Sequence, residues 1–208
     1  MMSDDTGRRL QQFLDREELF DLVRRERFAR DQRHFAVMRD CFEDDAYVQT
    51  SWYDGYGGDA YVEASRKRMG TTDNSKHWVF PAAAQIAGDR ATVESPAMIF
   101  NRVVLDGLEV DFHVFCRFFS RSVRRTGHWR LQSFVVIWER DVMRPVPPAD
   151  RLPLDWALVS TLRASYRFLA YYQKSRGVDV NPDLPGDDRR DLVDAFYAKE
   201  ERWLAGSE

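Results

Sequence analysis

A chain of 208 residues, 44% hydrophobic and 31% charged, holds enough apolar material for one sizeable core with an appendage, and two full domains are not expected. Its formal net charge of -3 excludes a general attraction for nucleic acid or for an anionic membrane. Cys41 and Cys116 lack CxxC spacing and read as reduced thiols, the N-terminus has no apolar leader, and no run reaches the roughly 18 apolar residues of a membrane span, so a cytoplasmic protein is expected.

In chain order, Leu10, Phe13, Leu14, Phe20, Val23 and Phe28 recur at helical spacing and predict a helix over 8–30, with a capping pair, Asp15 and Glu18, where it would break. A second short helix sets Phe35, Met38 and Phe42 on one face and ends at Glu43-Asp44-Asp45. Residues 46–52, rich in β-branched and aromatic side chains, predict a strand that stops at the glycine cluster Gly55 to Gly58. A third helix over 59–69 is closed by Gly70. The period then changes to two, which predicts strands over 77–86, 91–104, 109–122 and 128–139. Turns at Gly88, Gly107 and Gly127 join them as an antiparallel meander. Helices first and strands after argue for an α+β fold.

Pro145, Pro147 and Pro148 break this pattern, which divides the chain into a domain at 1–142, a proline-rich linker at 143–151 and a helical extension at 152–208. In the extension Trp156, Val159, Leu162, Tyr166 and Leu169 predict one helix ending by Gly177. Leu192, Val193, Phe196, Tyr197 and Trp203 predict a second, capped by Asp187. A helical pair this small is stable only when docked on its own body or on another subunit.

Several local patterns occur together in a fixed order: Asp31 at the end of the first helix, Phe42-Glu-Asp-Asp-Ala46, His77 opening a strand, Gly88-Asp-Arg-Ala-Thr-Val-Glu94, Arg117 followed by aromatics, and Gly127-His-Trp-Arg-Leu131. From about Glu18 to Asp141 the chain thereby resembles the SnoaL-like branch of the nuclear-transport-factor-2-like superfamily, in particular its scytalone dehydratase and dehydrochlorinase members. The helical extension lies outside that pattern. The resemblance implies an NTF2-like cone, in which N-terminal helices pack on a strongly curved antiparallel sheet around an internal pocket. It also implies cofactor-independent lyase or isomerase chemistry of the dehydratase or cyclase kind, with Asp31 orienting His77 and His77 removing a proton. Two positions depart from the relatives it suggests: Glu26 stands where the dehydrochlorinase would place a lysine, and Phe28 where dehydratases often have tyrosine. The superfamily also holds non-catalytic members, so a binding or assembly subunit like the small subunit of a ring-hydroxylating dioxygenase is the alternative.

An imidazole titrates near neutral pH, and a neighbouring carboxylate fixes its tautomer, which suits a general base. An elimination also needs a donor for the developing enolate and a dry pocket. Strand phase nominates Asn101, and His113 with Arg117 on one face, as substrate-binding groups, and Tyr47 and Tyr53 as phenols near the loop. A one-residue error in phase reverses each assignment. Simpler readings stand beside these. Asp31 would pair with Arg27 or Arg30 at a solvated helix end, His77 would sit at the sheet edge, His113 would pack within a strand, and Arg117 would pair with Glu94 or Glu109. The spacing offers no metal-ligand pattern and no phosphate loop, so no metal and no cofactor are expected. The expected partner is a small apolar or aromatic, polycyclic substrate, and a curved sheet with an apolar outer face predicts a homo-oligomer, dimer or trimer.

Overall fold

The computed structural model describes residues 4–69 and 74–207. Helix α1 (Asp4–Asp31) runs unbroken through Asp15, which pairs with Arg124 at 2.6 Å instead of capping a helix start. Its buried stripe is Leu19, Leu22, Val23 and Ala29, joined by Glu26, Arg27, Arg30 and Asp31, while Leu10, Phe13, Leu14 and Phe28 are exposed. The helix ends in a Schellman turn: His34 N–H donates to Ala29 O at 2.8 Å, Arg33 N–H donates to Arg30 O at 3.0 Å, and Arg33 takes a left-handed φ of 62°.

Helix α2 (Phe35–Asp40) stops before the acidic run, and Glu43, Asp44 and Asp45 lie in strand β1 (Phe42–Gln49). Charge had suggested a helix end there. The β1 register decides otherwise, because Phe42, Ala46 and Val48 point inward while the acids face Arg39 and Arg125. Strand β2 (Asp54–Tyr56) forms a hairpin with β1, and α3 (Gly58–Met69) follows. A Cβ on Gly58 would lie 2.8 Å from the Glu43 carbonyl, so only glycine lets α3 start against β1. The expected closure at Gly70 falls outside the described residues.

The strand predicted over 77–86 is two strands, β3 (Lys76–Val79) and β4 (Ala83–Ala87), both antiparallel to the same long partner. Pro81 lies in the break between them, where a missing N–H cannot serve the ladder. Strands β5 (Arg90–Leu105), β6 (Leu108–Arg124) and β7 (Trp129–Pro145) form the meander, and the sheet order is β2-β1-β7-β6-β5-β3 with β4 also on β5. Among the described strands, only β1 against β7 pairs in parallel. Bulges in β7 at Glu139 and Gln132, opposite Phe115/Cys116 and Arg121/Ser122 of β6, bend the sheet around the helices. The result is the α+β cone: helices inside a curled, open sheet.

Pro145 does not end the sheet early, since it closes β7 opposite Val110. Beyond it come α4 (Trp156–Thr161), capped by Asp155, a 3-10 turn (Ala164–Tyr166), α5 (Arg167–Ser175) and α6 (Arg190–Leu204). The single helix predicted up to Gly177 is thus broken near Leu162, and Asp187 caps nothing. Asp187 instead bonds Arg117 at 3.0 Å, and its N–H donates to Trp138 O at 2.8 Å. Tyr166, Ala170, Tyr172 and Leu184 are buried in the main core. On the convex face α6 covers Phe119 and Ile137 with Val193, Phe196 and Tyr197, so the outer apolar patch of the sheet is covered by the chain's own tail.

Tyr166 joins extension to body: it is 1% exposed, its ring centre lies 5.8 Å from that of Trp138, and its hydroxyl donates to Asn181 O at 3.0 Å. Tyr166→Ala is expected to lower unfolding stability by about 3 kcal/mol, read from urea denaturation. A loss near zero would show that the extension is not part of the cooperative unit.

Candidate active site

Between α1, α3, α5 and the concave face of the sheet lies a cavity of about 70 Å³ that opens to solvent. Trp52, Tyr61, Phe112, Phe118, Phe134 and Trp138 form most of its wall. That lining suits a small, largely apolar molecule.

Asp31 and His77 meet at one end. The Asp31 carboxylate accepts twice from His77: from the backbone N–H at 2.6 Å and from Nδ1 at 2.8 Å. A carboxylate only accepts, so the ring proton sits on Nδ1 and the Nε2 lone pair is left for another partner. His77 lines both the inner cavity and an outer groove shared with Phe28, Trp78 and Phe80. Lys76 Nζ donates to the Asp31 carbonyl, and β3 is thereby tied to the end of α1.

A carboxylate at a helix C-terminus opposes the macrodipole by roughly 0.3–1 kcal/mol. Two bonds from His77, each worth about 1.5–3 kcal/mol for a charged acceptor, outweigh that cost. Burial alone would raise the Asp31 pKa, but the His77 hydrogen bond and the nearby Arg27 and Arg30 charges hold it below the usual carboxylate value. For His77 burial dominates: it pushes the pKa down to about 4 against the pull of Asp31, and Arg30 and Arg27 push the same way. The resting pair is therefore an anionic carboxylate and a neutral imidazole.

Arg27 crosses the cavity floor. Its Nε donates to Glu26 at 2.6 Å, its Nη2 donates to the Tyr61 hydroxyl at 3.1 Å, and its guanidinium lies over the Phe134 ring at 4.7 Å. With its oxygen already accepting from Arg27, the Tyr61 hydroxyl has its own proton to give. Of the other residues nominated from strand phase, Asn101 lines the cavity, with a buried Oδ1 that no protein group meets. His113 and Arg117 do not: Phe112, Val114 and Phe118 take the inward positions of β6, so the odd-numbered residues between them face outward. His113 packs on the Phe100 ring at 5.4 Å, and Arg117 pairs with Glu94 at 3.0 Å and Glu139 at 2.6 Å. Tyr47 lies in an outer groove, bonded to Asp54 at 2.8 Å. Tyr53 packs on Tyr61 at 5.1 Å behind the wall.

Several pocket groups escaped the sequence reading. Tyr61 shares the buried stripe Tyr61, Val62, Ser65, Met69 of α3, so a polar-tipped aromatic on that stripe was the available signal. Ser51, Trp138 and Gln173 offered none, because they converge only once α5 docks. Asp141 fixes that docking: its Oδ2 accepts from Leu169 N–H at 2.7 Å in the first turn of α5, and burial raises its pKa to about 6. Among the described residues no three His, Cys, Asp or Glu side chains gather as a metal would require. No helix among them is long and apolar enough to cross a membrane.

Residues 11–135 match the model of the SnoaL-like domain, and the chain belongs to that family. Protein AN9274 of Emericella nidulans is 30% identical over 209 residues, covering 94% of this chain and 88% of the relative. Pea pathogenicity protein 2 of Fusarium vanettenii is 28% identical over 188 residues, with 86% and 81% covered. Such coverage of this chain cannot be reached without entering the extension, so these relatives align with part of it. Among solved structures, the dehydrochlorinase LinA-type3 of Novosphingobium barchaimii superposes with a TM-score of 0.58 at 15% identity, over 70% of this chain and 99% of that one. A proposed scytalone dehydratase of Novosphingobium aromaticivorans gives 0.54 at 17% identity, over 71% and 99%. These likenesses establish the cone.

The depressed His77 pKa makes a pH prediction. The unfolded imidazole binds a proton near pH 6.5 and the folded one only near 4, so the stability that His77 contributes is complete above 6.5 and is lost as pH falls through 4. Asp141, raised to about 6, titrates in the opposite sense over the same range, so the comparison is made against His77→Gln. The wild-type advantage in urea midpoint should be largest near pH 7 and shrink toward pH 4. An advantage that grows on acidification would overturn the neutral assignment.

Proposed function

We propose that this SnoaL-like chain is a cofactor-independent lyase or isomerase, of dehydratase or cyclase type, in which His77 is the general base and Asp31 its orienting partner. The observation that carries this reading is the two-point Asp31–His77 contact at the end of an aromatic-lined cavity. His77 Nε2 takes a proton from carbon next to a substrate carbonyl. The C–H electron pair moves onto the carbonyl oxygen, and the hydroxyl of Tyr61, polarised by Arg27, donates to that developing enolate. In a dehydration the enolate collapses with loss of a β-hydroxyl, which leaves as water with the proton returned from His77. Asp31 stabilises the transient imidazolium, and the low resting pKa keeps the base unprotonated throughout the neutral range at some cost in driving force.

The assembly-subunit alternative draws less support, since α6 already covers the outer apolar patch that a partner would otherwise take. A homo-oligomer, dimer or trimer, belongs to the reading for a different reason: Phe13 and Leu14 of α1 are 60% and 50% exposed. Light scattering on the purified chain should give two or three subunits, and a monomer at micromolar concentration would count against it.

With a substrate found by screening hydroxylated cyclic ketones, His77→Ala and Asp31→Asn should each lower kcat by about 100-fold or more. The wild-type rate should stay level from neutral pH down and fall only as pH approaches 4. Full turnover by both variants would end the dyad assignment.

A further inference from the structure

The cavity wall holds a second group of polar atoms. Gln173, on α5 of the extension, is 1% exposed. Its Nε2 donates to Ser51 Oγ at 2.7 Å, and its Oε1 is buried with no protein partner. Trp138 is also 1% exposed, and its indole Nε1 is buried with no partner. Both side chains line the cavity. An unmade hydrogen bond on a buried polar atom costs about 1–3 kcal/mol, and here one orphan accepts while the other donates.

We propose that Gln173 and Trp138 form a recognition subsite for a hydroxyl group carried on an aromatic ring of the ligand. A hydroxyl is the small neutral group that satisfies both atoms, giving its proton to Gln173 Oε1 and accepting from Trp138 Nε1–H. A carboxylate or ketone has no proton for Gln173, and an apolar ring leaves both atoms unmet. The surrounding Trp52, Phe112 and Tyr172 rings supply the surface on which the bearing ring packs. The inference rests on the cavity being the ligand site, as in the function proposed above. It assigns to the extension a role in choosing the ligand.

The test reads binding alone, so it does not depend on the dyad. Titrations of 2-naphthol and 2-methylnaphthalene, which differ by hydroxyl against methyl, are followed by calorimetry. Wild type should prefer 2-naphthol by about fivefold or more, the worth of one net hydrogen bond. Gln173→Leu should abolish that preference and leave 2-methylnaphthalene binding within about twofold. Trp138→Phe, which keeps a ring and loses the donor, provides a second arm if the first variant does not fold. Val114→Trp, which fills the cavity, should remove binding of both probes. Binding that survives Val114→Trp, or no binding of either probe to wild type, overturns the cavity as ligand site and the subsite with it. Binding that Val114→Trp removes, with a hydroxyl preference that Gln173→Leu and Trp138→Phe leave intact, overturns the subsite alone. Tighter binding of 2-acetylnaphthalene than of 2-naphthol would likewise overturn it.

Discussion

Four charged side chains at the end of one helix, Glu26, Arg27, Arg30 and Asp31, lie buried and have to be paired, and much of the inner architecture answers to that requirement. Removing one ion from water costs several kcal/mol, so each needs a partner held at the right distance. Glu26 and Arg27 neutralise each other, Arg27 reaches Tyr61 on α3, Arg30 reaches Ser75, and Asp31 takes both nitrogens that His77 offers it. These contacts bind α1, α3 and β3 into one floor. Burial, with the Arg30 and Arg27 charges, lowers the histidine pKa against the pull of Asp31, and the pairing that makes that burial tolerable leaves one of the ring nitrogens for chemistry. Structure and proposed reactivity are two outcomes of a single electrostatic arrangement.

The departures from the suggested relatives acquire a physical sense in this setting. A lysine at position 26 would add a third cation beside Arg27 and Arg30, whereas Glu26 supplies the anion that Arg27 needs. Phe28 points outward, 63% exposed, so a phenol there would serve the outer groove and not the cavity. The phenol inside comes from Tyr61, one helix away.

Legibility in the sequence followed the range of the interactions. The helix ending at Asp31, the long strands β5 to β7 and the strand opening at His77 rest on local periodicity and turn residues, and they were readable, as was the cone through its resemblance. Strand phase was not. His113 and Arg117 look as suited to a pocket as Phe112 and Phe118 do, and only the sheet's pairing shows which set faces inward. The apolar spacing that placed the first helix drew on Leu10, Phe13 and Leu14, whose side chains are exposed, whereas the buried face is partly ionic. Polar burial sustained by distant partners leaves no periodic trace in one sequence.

The bond between Gln173 and Ser51 spans 122 residues of chain. A contact of that range forms late, after most of the loop-closure entropy has been met. During synthesis the dyad and the aromatic wall emerge first, and the cavity stays unwalled on one side until α5 has left the ribosome and docked. The same delay means that residues near the C-terminus can reshape the cavity without disturbing the order in which the core assembles.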